Sequence, residues 1–158
     1  MKLQKATCFA LFAVLELAAD PARQLAAAEI ADKYGISQHH LAKVLRYLGR
    51  TGIVESARGI GGGYRFTGNS KRLTLMDVIE LFEPIEPTHR RGEELRPTTD
   101  VGRALRVVLN EVDEQALATF RSITISTMLK IVSLRPWAAN IRERQSSAES
   151  RRSEARHR

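Results

Sequence analysis

Cysteine is nearly absent from this 158-residue chain: Cys8 stands alone, so one subunit can form no internal disulfide, no four-thiolate zinc site and no thiolate-only iron–sulfur cluster. A reducing, intracellular setting fits that usage. Long hydrophobic runs are missing too. Lys2 and Lys5 ahead of the mostly apolar stretch from Ala6 to Ala18 superficially resemble a secretory leader, but Glu16 interrupts the run. It is also shorter than the ~20 residues a bilayer span requires, so a core helix is the better reading and no membrane association is expected. No internal repeat is visible. No nucleophile, base and acid gather in a pattern that would mark an enzyme, and no open metal site is apparent. The glycine-rich stretch Gly59 to Gly63 lacks a following Lys-Ser/Thr pair and runs into Tyr64-Arg65-Phe66, which reads as strand rather than helix, so neither nucleotide-binding fingerprint is met.

The length suits one domain with a real core, or a small domain carrying an oligomerisation arm. A hydrophobic fraction of 43% with 27% charged residues is that of a soluble globular chain, and the net charge of +7 points to an anionic partner. The charge is unevenly spread: residues 1–73 hold 11 Lys/Arg against 5 Asp/Glu, whereas residues 74–137 hold 8 against 10. The basic surplus therefore lies in the first half, with a smaller one in the tail.

From Lys5 to about Ala19 the apolar residues fall on two faces, Ala10, Ala13, Val14 and Leu17 on one and Cys8, Leu11, Phe12 and Leu15 on the other. A helix apolar on two sides needs two partners. After Asp20-Pro21, Arg23-Gln24-Leu25 reads as a short edge strand. A helix from about Ala26 to Tyr34 follows, with Ile30 and Ala31 inward and Gly35 as its stop. Ser37 is placed to cap the next helix, whose inward residues Leu41, Val44, Leu45 and Leu48 keep three-and-four spacing. Gln38, His39, Lys43, Arg46 and Arg50 remain outside, with His40 near the boundary. This is the helix-turn-helix layout.

The next segment adds a wing. Gly52 to Ser56 reads as a strand, Arg58 to Gly63 as a flexible tip and Gly63-Tyr64-Arg65-Phe66 as the returning strand. Thr74 and Asp77 start a further helix ending near Phe82 or Glu83. Three of the five prolines fall at Pro84, Pro87 and Pro97, so residues 84–98 read as a loop. From about Thr99 to Phe120, Val101, Leu105, Val108, Val112, Ala116 and Phe120 make one long apolar stripe. That stripe must be covered, and the second face of the first helix is the candidate cover, within one chain or across a dimer. Thr124 to Val132 suggests a short terminal helix, and residues 135–158, rich in Arg, Ser and Glu, should be a disordered basic tail. The expected division is thus a winged helix-turn-helix domain over 1–83, a loop over 84–98, a long helix and a short terminal helix over 99–134, and the tail. The fold class is mainly α, a winged helix-turn-helix with a small β-wing and a long C-terminal helix.

A helix that reads double-stranded DNA presents donors and acceptors to base edges in a major groove ~12 Å wide, with cations on the flanking phosphates. Gln38, His39 and Lys43 are the base-facing candidates; Ser37, His40 and Arg46 suit backbone contacts. Glycines let a wing tip approach the sugar-phosphate wall closely, so that Arg58 reaches the negative potential of a minor groove. Gly59, Gly61, Gly62 and Tyr64 complete that surface.

The ordered set Ile36-Ser37, Leu41, Leu45, Leu48, Gly52-Ile53-Val54, Arg58-Gly59, Gly61-Gly62-Gly63-Tyr64, Leu75 and Asp77-Val78-Ile79 resembles the Rrf-two family of bacterial transcriptional regulators over residues 1–83, and Val101 to Val132 resembles its dimerisation and terminal helices. The resemblance implies a cytoplasmic, nucleoid-associated homodimer gripping an inverted repeat, with recognition helices in major grooves about 34 Å apart and wings in the flanking minor grooves. It makes Ser37 to Lys43 the reading segment and Arg58 the wing arginine. A repressor that excludes polymerase from a promoter is expected; a winged-helix protein-interaction module without specific DNA binding is the alternative. Operator and effector stay open, since Ala42 stands where some members have a glutamate that adjusts site preference.

Cluster-binding members carry three cysteines in the loop matched by Pro87 to Pro97, where this chain has none, so no cofactor and no iron–sulfur cluster is expected. Cys8 lies near a position from which some members add a ligand. As a residue it reads as a small buried thiol, a redox-sensing thiol, or part of a mixed site with His89 or Glu93. His39 and His40, adjacent on a helix, point about 100° apart and make no natural ligand pair.

Overall fold

The computed structural model describes residues 3–59, 61–83 and 99–134. The expected loop over 84–98, with His89, and the expected disordered tail over 135–158 lie outside the described residues. Among the described residues, six helices and one hairpin form in the order α1 (Lys5–Ala19), α2 (Ala27–Tyr34), α3 (Gln38–Arg50), β1 (Val54–Ala57), β2 (Gly63–Phe66), α4 (Leu75–Glu80), α5 (Asp100–Ser122) and α6 (Ile125–Leu134). The architecture is mainly helical with a two-stranded antiparallel wing, as the sequence predicts.

The core forms where the spacing puts it. Ala10, Ala13, Val14 and Leu17 of α1, Ile30 and Ala31 of α2, and Leu41, Val44, Leu45 and Leu48 of α3 are all buried and meet Val54, Phe66, Val78 and Ile125 in one cluster. Gly35 ends α2 in the left-handed region at φ 61°, where a Cβ would cost energy. Ser37 stands at the start of α3 but its side chain makes no capping hydrogen bond. The box at Thr74 and Asp77 forms reciprocally, each side chain accepting from the other's backbone N–H. α4 ends at Glu80, short of Phe82. Its following turn instead turns Glu83 back onto α1, where the carboxylate accepts from the Gln4 amide at 2.6 Å and the buried Thr7 hydroxyl at 2.7 Å.

Leu25 forms a single bridge to Tyr64 rather than an edge strand, exchanging backbone hydrogen bonds of 3.0 and 2.8 Å. A second bridge ties Thr74 to Thr124, with Leu75 N–H on the Ile123 carbonyl and Ile125 N–H on the Leu73 carbonyl. That bridge, the buried Ile125 and the Arg121–Glu80 pair at 3.9 Å fasten the α5–α6 junction to the winged half. Within the chain, α1 packs on α6 and α5 packs on α4. The second face of α1 meets α2 through the stacking of Phe12 on Tyr34, while Val101, Leu105, Val108 and Val112 of the α5 stripe stay exposed in the single chain.

One polar cluster joins α1 to α2. Glu16 accepts from Lys33 Nζ at 2.7 Å and from the Tyr34 hydroxyl, while Phe12 stacks on the Tyr34 ring with centroids 4.6 Å apart. Burial pushes the Glu16 carboxyl up, but hydrogen bonds from Lys33 and Tyr34 together with the Lys33 charge outweigh it and hold Glu16 below its ordinary value of 4.5. Burial, the hydrogen bond to Glu16 and its charge raise the Tyr34 phenol well above its ordinary value. A carboxyl lowered by folding stabilises the native state above its unfolded pKa, and that contribution is lost as the pH falls through the lowered value. The stability advantage of the wild type over Glu16→Gln, read by urea unfolding, is accordingly expected to be constant from neutral pH to about 5 and to shrink below 4.5. A gap independent of pH would show that no shifted charge resides there.

Candidate nucleic-acid interface

α3 keeps its buried residues, Leu41, Val44, Leu45 and Leu48, within an arc of about 100°. At 100° per residue, His39, Lys43, Arg46 and Arg50 fall in a fan about 60° wide on the opposite side, and all four are exposed. Gln38 lies about 110° from the middle of that fan on one flank, and His40 about 90° away on the other. The exposed fan is thus one imidazole and three cations in a row. Arg50, outside on the sequence pattern but not singled out there, is the functional candidate that reasoning missed; the helical spacing that brings in Lys43 and Arg46 also brings in Arg50. Ser37 is exposed at the head of the row. The rings of His39 and His40 are 6.0 Å apart and tilted by 55°, and they diverge as adjacent helical residues do.

The wing stands beside the C-terminal half of α3. Its strands pair Val54 with Phe66, Glu55 with Arg65, Ser56 with Tyr64 and Ala57 with Gly63. Val54 and Phe66 face the core and are buried. Gly59 and Gly61 carry φ values of 108° and 79°, a conformation strained for any side chain. The Gly62 amide closes the tip on the Gly59 carbonyl at 2.9 Å. Gly63 answers a different need, since a Cβ there would sit 2.5 Å from the Leu25 carbonyl oxygen. Close backbone approach at Gly63 is what lets Leu25 bridge to Tyr64 and brace the wing against the start of α2. Arg58, directly after β1, is exposed at the root of the tip.

α3 and the wing enclose an open trough of about 730 Å³, lined among others by Arg46, Gly49, Arg50, Glu55, Ser56, Arg58 and Tyr64. Tyr64, half-buried, sits in the wall of this trough and not at the wing tip. Among the described residues, Lys43, Arg46, Arg50 and Arg58 form no ion pair. Unpaired cations on one exposed surface leave a strong positive potential for an anionic partner.

Residues 3–131 match the Rrf2 family, described as an iron-dependent transcriptional regulator. The chain belongs to the Rrf2 family. It is a transcriptional regulator of the winged helix-turn-helix kind, as the sequence resemblance implies. It is 52% identical over 136 residues to BadM of Rhodopseudomonas palustris, a protein named as an HTH-type transcriptional regulator, and the match spans 84% of this chain and 83% of BadM. Its fold is similar to that of CymR, the global cysteine regulator of B. subtilis, with a TM-score of 0.67 at 21% identity over 83% of this chain and 98% of CymR. T. potens IscR superposes with a TM-score of 0.64 at 23% identity, over 84% of this chain and 88% of IscR.

The iron in the family's description finds no set of donors among the described residues. Cys8, half-buried on α1, is the only thiol of the whole chain. Among the described residues, no three His, Cys, Asp or Glu side chains gather where they could hold a metal ion. A cluster held by three thiolates of one subunit does not fit these residues. Nor, among the described residues, is any helix long and apolar enough to cross a membrane.

Proposed function

We propose that this regulator is a cytoplasmic homodimer that binds an inverted-repeat operator in double-stranded DNA and represses transcription by occupying a promoter, with no catalytic role and no iron–sulfur cofactor. The observation that carries this reading is the fan on α3: His39, Lys43, Arg46 and Arg50 stand exposed opposite the buried stripe, and among the described residues the three cations have no ion-pair partner. His39 and Lys43, near the helix start, reach base edges in the major groove, with Gln38 at one margin of the contact. Ser37, His40 and Arg46 take backbone phosphates. The wing, through Arg58 and the close-approaching Gly59, Gly61 and Gly62, enters the adjacent minor groove, and Tyr64 supports it from the trough wall. Residues 1–83 form the DNA-binding unit, and α5 and α6, within 99–134, the dimerisation unit.

Dimerisation is supported by α5, which is 23 residues long and buries none of them. Val101 is 80% exposed, Leu105 and Val108 58% each and Val112 57%. A continuous apolar stripe of this size on a regulator calls for an apolar partner, and a second copy supplies the same stripe by symmetry.

Fluorescence anisotropy of a labelled operator duplex at stepped salt concentrations tests the assignment of α3. Lys43→Ala and Arg46→Ala are each expected to weaken binding and to lessen the slope of log affinity against log salt by about 0.9, the value of one phosphate contact. Unchanged affinity and slope in both variants would remove α3 from the interface, and wild-type protein with no specific duplex at any salt would favour the interaction-module alternative.

A further inference from the structure

The trough between α3 and the wing contains a charge that works against the proposed ligand. Its charged lining is Arg46, Arg50, Arg58 and one carboxylate, Glu55. A lone carboxylate among phosphate-seeking arginines would repel the DNA backbone. Glu55 is not alone, however. Its register partner across the hairpin is Arg65, whose Nε donates to Glu55 Oε1. Arg65 itself is not part of the trough lining. Both side chains are about half-exposed, at 47% for Arg65 and 48% for Glu55, so the pair adds little to folding stability. Its consequence is local: it removes a negative charge from the trough wall.

Arg50 adds the second part. It closes the exposed fan of α3, lines the same trough as Arg46 and Arg58, and has no ion-pair partner among the described residues. Three guanidinium groups from the helix and the wing root thus border one channel, with the carboxylate of the fourth charged residue occupied from outside.

Resting on the DNA-binding reading above, we infer that one strand's phosphodiester backbone passes through this trough, that Arg50 binds a phosphate there, and that Arg65 is a positioning residue which acts on DNA affinity through Glu55 by cancelling its charge. Arg65 need not touch DNA. Its loss unmasks a carboxylate facing phosphate, and removing that carboxylate as well restores the channel.

The test uses the full chain and a fluorescein-labelled duplex recovered by the wild-type protein from a random-sequence pool. Arg65→Ala is expected to bind that duplex roughly three- to tenfold more weakly at low salt, the size of one like-charge contact across solvent. Arg65→Lys stays near wild type. The double variant Glu55→Gln/Arg65→Ala returns to within about twofold of wild type, because neither charge is then present. Arg50→Ala lowers the salt slope by about 0.9 and Arg50→Lys keeps it. A double variant as weak as Arg65→Ala would overturn the indirect role, since Arg65 would then contact DNA or support the wing structurally. An unchanged slope in Arg50→Ala would overturn the phosphate contact. Wild-type protein that recovers no duplex would overturn the DNA-binding reading and this inference together, whereas wild-type binding with a failed rescue overturns only the inference.

Discussion

Replacing Leu105 and Val108 together by glutamate is expected to turn the proposed dimer into a monomer and to weaken operator binding by at least about 100-fold, the factor lost when two half-site contacts cease to be linked. Both side chains are 58% exposed in the single chain. Their replacement therefore creates no cavity and unpairs no buried group, and the monomer should retain its helical content and its winged core. Sedimentation velocity reads the mass, circular dichroism the fold, and anisotropy the affinity. A folded variant that remains a dimer would move the interface away from α5.

The size of that effect follows from where α5 is fastened. Its C-terminal end is held against the winged half by the Thr74–Thr124 bridge, the Arg121–Glu80 pair and the half-buried Phe120 and Ile123. Val101 to Val112 find no such cover. At 1.5 Å per residue α5 is roughly 35 Å long, comparable to the ~34 Å between successive major-groove faces of a duplex. In the proposed dimer, two winged units fixed to paired α5 helices would be held at a set spacing. Without the pairing each unit binds its half-site independently, and the second contact no longer benefits from a high effective concentration.

The helices of the winged half were legible because their signals are local. Leu41, Val44, Leu45 and Leu48 keep one spacing over the whole of α3, and Thr74 with Asp77 needs only three residues to form its box. The same arithmetic makes Arg50 a neighbour of Lys43 and Arg46, and sets Gln38 and His40 to the flanks. What the pattern could not give depends on partners distant in sequence. Leu25 has the makings of a strand, yet pairs at one residue because only Tyr64 faces it across the gap that Gly63 leaves open. Phe12 on the second face of α1 finds Tyr34 of α2, a partner that spacing within α1 cannot specify. Ser37 has a capping side chain at a capping position, yet it makes no capping hydrogen bond, an outcome residue type alone does not fix. The Glu55–Arg65 pair requires the hairpin register, which follows only once the tip of the wing is fixed at Gly59 to Gly62.

Arg58→Ala is expected to cost about 1–3 kcal/mol of operator binding, roughly a 5- to 150-fold loss, if the guanidinium inserts into the minor groove. Arg58 is exposed, makes no ion pair among the described residues and directly precedes Gly59, whose φ of 108° begins the turn of the tip. A side chain so placed can extend past the glycines without a neighbour to hold it back. A-tract minor grooves are narrow and strongly negative, so the loss should be greater on a duplex with A·T-rich flanks than on one with G·C-rich flanks. Arg58→Lys keeps the charge but not the planar donor fork, and should fall between wild type and alanine. Equal losses on both duplexes would make Arg58 a phosphate contact of the trough, where sequence does not enter. No loss on either would mean that the wing stays outside the groove and that α3 alone sets the site.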